Sequence, residues 1–312
     1  MPPRVADVGR AFQVAVDDGR LDLPLPGSGS TLQRWRALVD LAAEDLCVAR
    51  LAEAHLDALA ILAELDGPPP PVGSRWGVWA AHPPTPALTA RETTGGWELT
   101  GVKPWCSGAR ACTHALITAD APDGYRLFAV DLAAARPVAG TWPAVGMAGS
   151  DSLDVDLTGV RAQAVGGPGD YLDRPGFWHG AIAVAACWYG GAVGVGRALL
   201  ARSLGPHALA HLGAVDAALS AVELGLREAA AAVDAEPCAD QHRRAIRLRA
   251  QTERAATEVL ERVGRALGAG PLCRDPLHAA RVADLPVYLR QSHAETDLAM
   301  LGGLALETDP AW

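Results

Sequence analysis

The stretch Gly95-Gly96-Trp97-Glu98-Leu99-Thr100-Gly101-Val102-Lys103-Pro104-Trp105-Cys106-Ser107-Gly108-Ala109 decides how this chain is read. Gly95-Gly96 reads as a turn, and Trp97 to Thr100 then alternates apolar and polar as a half-buried strand does. A lysine and a proline follow, then Trp105 ahead of the small tail Cys106-Ser107-Gly108-Ala109. By itself the segment is a β-hairpin with an aromatic tip. A flat indole beside a hydroxyl and a glycine-flanked backbone also has the surfaces to cover a planar ring and to hydrogen-bond its polar rim.

Outward from this stretch the texture changes twice. From Trp76 to about Val165, short alternating runs are separated by Gly, Pro and Asp, as at Trp97–Thr100, Ala115–Thr118, Tyr125–Val130 and Leu153–Leu157. That pattern predicts an antiparallel β-domain. Upstream, Leu38, Leu41, Leu46, Leu51, Leu56, Leu59 and Leu62 recur at helical spacing and predict a helix over 31–65, with another over 4–19. Pro68 to Pro71 stop it. Beyond Gly166 to Gly169 the chain becomes rich in Ala, Leu and Arg, and four helices are expected near 176–203, 208–234, 239–268 and 276–301. Small residues dominate the first of these, which permits close helix approach. The expected fold is α+β and multidomain, with N-terminal helices in 1–67, a middle antiparallel β-domain in 68–168 and a C-terminal four-helix bundle in 169–312.

Composition bounds the function. A 312-residue chain that is 50% hydrophobic can bury a large core. With 27 Lys+Arg against 36 Asp+Glu the net charge is −9, and no basic block is present, so neither nucleic acid nor an anionic membrane is an expected partner. The six cysteines, at 47, 106, 112, 187, 238 and 273, have no CxxC or zinc-type spacing and read as reduced thiols rather than disulfides or metal ligands. Residues 1–20 carry three Asp and no long apolar run, so no signal peptide is read there. Ala181 to Val195, the longest apolar stretch, is read as too short for a bilayer and as a buried bundle helix. A soluble, cytoplasmic protein is expected.

The opening stretch resembles the "G-x-x-L-x-G-x-K-x-W-[IC]-[TS]-x-A" segment of the acyl-CoA dehydrogenase superfamily. Two further stretches agree in order. Trp142-Pro143-Ala144-Val145-Gly146-Met147-Ala148-Gly149-Ser150-Asp151-Ser152 resembles the "GMRGSxS" turn, and Leu267-Gly268-Ala269-Gly270-Pro271-Leu272 resembles the "GGxGY" turn. Arg281 to Leu301 resembles the closing helix over the flavin. The similarity covers roughly residues 40 to 302. It implies FAD as cofactor, Trp105 beside the flavin, the Ser107 hydroxyl on its N5/O4 edge, and Cys106 packed between them. It also implies a flavin contact from the backbone of Ala81, and Gly268 and Gly270 meeting FAD across a dimer interface. A homodimer or homotetramer follows from that.

The departures are as informative. Only about seventy-five residues precede the β-domain, fewer than the helical domain of the family, and that domain forms one wall of the acyl pocket. At the position of the "TEPxxGSD" loop stand Ala81-His82, without the phosphate cradle. Arg202, with His207 or His211, stands near the arginine that reaches the pyrophosphate, at an altered spacing, so FMN could replace FAD. Counting from Asp284, the catalytic glutamate of "RDxxxxxxxEG" falls on Ser292, with His293 next. The alternative glutamate position falls near His179. Serine is no base for an α-proton, whereas histidine titrates near neutrality, so His293 and His179 are the candidate bases, each also readable as an ordinary helix histidine. Glu295 and Asp297 are expected off the face of His293.

Three readings follow from the resemblance. The first is FAD-dependent α,β-oxidation of an acyl thioester, carried on CoA or a carrier protein, as in fatty acid metabolism, with an electron-transfer flavoprotein as acceptor. The second is a flavin-dependent monooxygenase of the same superfamily, the dibenzothiophene-monooxygenase type, which needs no α-proton base. The third is a catalytically degenerate partner subunit.

Overall fold

The computed structural model describes residues 3–81, 88–201 and 203–307. Helices α1 (Pro3–Asp17), α2 (Thr31–Glu44) and α3 (Leu46–Glu64) come first. Nine strands follow: β1 (Trp76–Trp79), β2 (Thr89–Thr93), β3 (Gly96–Thr100), β4 (Val102–Cys106), β5 (His114–Ala121), β6 (Gly124–Asp131), β7 (Arg136–Val138), β8 (Leu153–Asp156) and β9 (Val160–Val165). The chain closes with α4 (Asp170–Asp173), α5 (Gly176–Leu200), α6 (Pro206–Ala235), α7 (His242–Leu267), α8 (Ala269–Arg274), α9 (Pro276–Leu289) and α10 (Glu295–Glu307). The α+β class read from the sequence is observed.

Two compact units form. Neither is a continuous segment. The first comprises residues 1–23, 50–144 and 148–177; the second comprises 24–49, 145–147 and 178–312.

In the first unit, six strands run in the order β1-β5-β2-β3-β9-β6, and β6 pairs back with β5, so five of them close on themselves. Most pairs are antiparallel, but β1 and β2 each meet β5 in parallel, which corrects the all-antiparallel expectation. A second sheet has the order β4-β8-β7. The expected hairpin at the opening stretch is also corrected. β3 pairs with β2 and β9, whereas β4 pairs with β8, so Gly101 (φ +122°) hands the chain from one sheet to the other. The hairpin turn lies one strand earlier, between β2 and β3. Inside, Trp79, Leu99, Cys106, Ile117, Phe128 and Val155 share one core; Ile61 and Leu62 of α3 share another with Trp76, Leu116 and Leu127.

In the second unit, α2 and α5 approach closely because α5 is glycine-rich on that side. A Cβ on Gly190 would lie 2.4 Å from the Val39 carbonyl oxygen, and one on Gly194 would lie 2.7 Å from that of Ala43. This is the close approach that the small residues predict. By length and apolar composition α5 and α6 are each long enough to cross a membrane, which revises the reading of Ala181 to Val195 as too short. The apolar window of α5 is 72% buried and that of α6 only 17%.

Two expected helices are broken, each by a side chain that satisfies the next turn. The 31–65 helix stops at Asp45, whose carboxylate accepts from the amides of Cys47 and Val48 and so caps α3. The 276–301 helix stops after Leu289, and Ser292 Oγ accepts from the Ala294 amide at 3.1 Å before α10 begins.

Candidate functional site

Trp105, Cys106 and Ser107 end β4 in three different environments. The β4–β8 register shifts between Lys103 and Cys106, and within that irregularity Trp105 adopts φ +55°. A bulge of this kind re-aims a side chain, and here the indole is 59% exposed. Cys106 points the other way, fully buried, its thiol 3.2 Å from the Lys103 carbonyl oxygen. Burial raises that thiol well above its ordinary range, so it stays protonated and packs within the surrounding apolar core.

Ser107 is 6% exposed and sits at a junction of two loops. Its Oγ lies 2.8 Å from Ser152 Oγ, which lies 2.8 Å from Ser150 Oγ. The Gly108 amide donates to the Ser150 carbonyl at 2.7 Å, and that of Ala109 donates to the Asp151 carbonyl at 3.2 Å. The Ser107 amide turns back to the Trp105 carbonyl, and the Ser107 carbonyl accepts Trp79 Nε1–H at 3.0 Å. The backbone around residues 107–109 is thus spent inside the protein. The Ser107 hydroxyl, by contrast, is engaged among the described residues only with another hydroxyl, that of Ser152.

The partner loop is held from its side. Arg110 grips the Asp151 carboxylate with both Nε (2.9 Å to Oδ2) and Nη2, and Asp151 is buried with φ +48°. Gly108 is fixed by φ +71° and by space, since a Cβ there would lie 2.8 Å from Cys112 Sγ and 2.9 Å from a Leu51 methyl. These contacts join two motifs singled out in the sequence, residues 105–109 and 148–152. The sequence reading assigned no role to Ser150, Ser152, Asp151 or Arg110; their signal was the polar trio Ser-Asp-Ser ending a turn otherwise made of small residues.

Beneath them Lys103 is buried in the same unit. Its Nζ donates to the Thr118 carbonyl (2.6 Å) and to Thr118 Oγ1 (2.9 Å), and Tyr125 OH donates to that Oγ1 at 2.6 Å. Burial pulls the lysine down from 10.5 to about 8, with Cys106 and Asp120 opposing. Ala81 lies just past β1 and is half-buried. His82 and Arg202 lie outside the described residues.

The remaining candidates lie in the second unit. His179 is buried on α5. His293 is not on a helix: it occupies the break between α9 and α10, its side chain 78% exposed, and Nδ1 lies 3.5 Å from Asp297 Oδ1. That corrects the expectation for Asp297: on the first turn of α10 its carboxylate reaches back to His293, also accepting the His293 backbone N–H at 3.2 Å. Arg249 ties the two histidine segments together, donating from Nη1 to the Ala181 carbonyl and from Nη2 to that of Gln291, both at 3.0 Å. Ser292 Oγ donates to Glu253 Oε2 at 2.7 Å, and Glu253 is paired with Arg290. Gly268 caps α7 at φ +64°, a left-handed conformation that favours glycine; a Cβ on it or on Gly270 would meet nothing within 4 Å. His207 is exposed and His211 half-buried on the first turns of α6.

No protein-family model and no curated protein matches this sequence. Solved structures do match. TdsC, the dibenzothiophene monooxygenase from Paenibacillus sp. A11-2, in its complex with FMN and indole, superposes with TM-score 0.80 at 18% identity, covering 97% of this chain and 96% of that one. The chain has the acyl-CoA dehydrogenase-like fold. Methanesulfinate monooxygenase MsuC from Pseudomonas fluorescens shares this fold, with TM-score 0.77 and 17% identity over 100% of this chain and 98% of its own. XiaF from Streptomyces sp., in complex with FADH2 and glycerol, gives TM-score 0.74 and 18% identity over 99% and 95%. Identities this low extend the acyl-CoA dehydrogenase-like likeness to fold and no further.

Proposed function

We propose that this chain is a flavin-dependent monooxygenase, binding FMN or FAD at the Trp105–Ser107 face. The observation that carries the reading is the pairing of an exposed indole, re-aimed by a left-handed residue, with a buried hydroxyl two residues on. Those groups fit an isoalloxazine, which offers an apolar face to Trp105 and a polar edge to Ser107. Bound there in reduced form, the flavin supplies the electrons that activate dioxygen for transfer of one oxygen atom to the substrate. Trp105 covers the ring, Ser107 orients its edge, and Arg110 with Asp151 keeps Ser107's neighbours in place.

Oxygenation is favoured over acyl-thioester oxidation by what surrounds Ser292. Its hydroxyl is committed to Glu253, and Glu253 to Arg290, so the carboxylate beside Ser292 is engaged in an ion pair rather than open to take an α-proton. The acyl thioester and the electron-transfer flavoprotein belong to the dehydrogenase reading, and no contact described above favours them. His293 stands exposed to solvent beside Asp297.

Titration of the purified protein with FMN and with FAD tests the proposal, followed by anaerobic addition of octanoyl-CoA and, in a separate aerobic assay, by addition of dibenzothiophene with reduced flavin. Flavin binding with oxygen-dependent product formation supports it. Bleaching of bound flavin by the thioester overturns it in favour of dehydrogenation, and failure to bind either flavin favours the degenerate-subunit reading.

A further inference from the structure

Three buried serine hydroxyls stand in file at this site. Ser107 Oγ and Ser150 Oγ each lie 2.8 Å from Ser152 Oγ, which stands between them. The amides of Ser107, Gly108 and Ala109 are all committed to carbonyl groups, so the hydroxyl file is the adaptable polar element here. A hydroxyl has one proton and two lone pairs. Where Ser152 donates along the file, it donates to one neighbour and accepts from the other, which gives the file two senses. In one, Ser150 donates to Ser152 and Ser152 to Ser107, leaving the Ser107 proton free for an acceptor on a ligand. In the other, Ser107 gives its proton to Ser152 and turns its lone pairs to a ligand N–H.

We propose that Ser107, Ser152 and Ser150 form a reversible hydroxyl relay that lets one site serve both redox forms of a flavin edge. That edge presents an acceptor nitrogen when oxidised and an N–H when reduced. The relay rests on the reading of this face as a flavin site. Ser152 and Ser150 are positioning residues that act through Ser107.

Removing Ser152 is felt unequally by the two forms. Against oxidised flavin, Ser107 still donates to the ring and only a lone pair is left without a partner. Against reduced flavin, Ser107 accepts from the ring and its own buried proton has nowhere to go, the costlier defect.

The test compares binding of oxidised FMN with that of dithionite-reduced FMN under nitrogen, in wild type, Ser152→Ala, Ser152→Thr, Ser150→Ala and Ser107→Ala. Ser152→Ala is expected to weaken reduced FMN about tenfold more than oxidised FMN, the scale of one unmade buried hydrogen bond. The midpoint potential of bound FMN falls with it. Ser152→Thr restores the ratio, Ser150→Ala moves it in the same direction by less, and Ser107→Ala weakens both forms. A Ser152→Ala protein that binds FMN with the wild-type ratio overturns the relay while leaving the flavin reading intact. If Ser152→Ala fails to fold, an unchanged ratio in Ser150→Ala overturns it equally. A wild type that binds neither FMN nor FAD, or a Ser107→Ala variant that binds both forms normally, removes the flavin from this face and the relay with it.

Discussion

Asp284 Oδ1 accepts the backbone N–H of Met147 at 2.6 Å, and Met147 is held at φ +56°, a conformation side-chain-bearing residues seldom adopt. Both residues are buried. The preceding glycine is obligatory, because a Cβ on Gly146 would fall 1.9 Å from the Ala283 carbonyl oxygen. Asp284→Ala leaves a buried amide without its acceptor, and we expect a loss of about 1–3 kcal/mol. Asp284→Asn keeps an oxygen in place and should lose less. Urea unfolding of both variants checks this, and equal losses would show that the charge, not the amide contact, matters.

Gly108 and Gly159 provide a controlled comparison. Both have positive φ, +71° and +80°, but a Cβ at 159 meets nothing within 4 Å whereas one at 108 strikes Cys112 and Leu51. Gly159→Ala should lose only the left-handed strain of about 1–2 kcal/mol. Gly108→Ala adds overpacking of about 1–3 kcal/mol and should displace Ser107. Thermal unfolding measures the first effect and FMN titration the second.

Lys103 imposes a pH dependence. Its folded value of about 8 lies below the ordinary 10.5, so between those limits the unfolded chain binds more protons and stability rises with pH. Below pH 8 both states are protonated and the burial penalty is present in full. The unfolding free energy of wild type minus that of Lys103→Met should therefore climb from pH 8 to 10.5. A flat difference would mean the ammonium is held charged by Thr118.

His293→Ala removes an exposed side chain whose ion pair with Asp297 is solvent-accessible, so the melting temperature should hardly change. If the imidazole moves a proton in the reaction, turnover falls by about a hundredfold. Unchanged turnover would hand the role to His179 or to water.

The exposed apolar length of α6, with Leu209 and Leu224 outward, is matched on α10, where Leu298, Met300 and Leu306 are exposed. We propose that a second copy covers such surface, as a homodimer or homotetramer. Leu224→Glu should shift sedimentation towards the monomer. An unchanged sedimentation coefficient in both proteins would count against it.

Much of the fold was legible because period and punctuation are local properties. The strands at 96–100, 114–121 and 124–131, and the glycine stripe of α5, follow from alternation and small residues alone. What was illegible depended on partners distant in sequence. Nothing in Thr100-Gly101-Val102 announces that β3 and β4 join different sheets. Asp45 and Ser292 each break a helix through a side chain that accepts from the amides just beyond it, which periodic leucines on both sides conceal. At the site, Trp105 and Ser107 were visible as residue types, but the serine file needed Ser150 and Ser152 brought from forty-odd positions away.

The chain returns to each compact unit more than once, leaving the first for only three residues at 145–147. Recombination with a relative at the compositional borders near 67/68 or 168/169 therefore exchanges no intact unit. Each crossover mixes parental residues inside a core, so productive chimaeras require several simultaneous junctions.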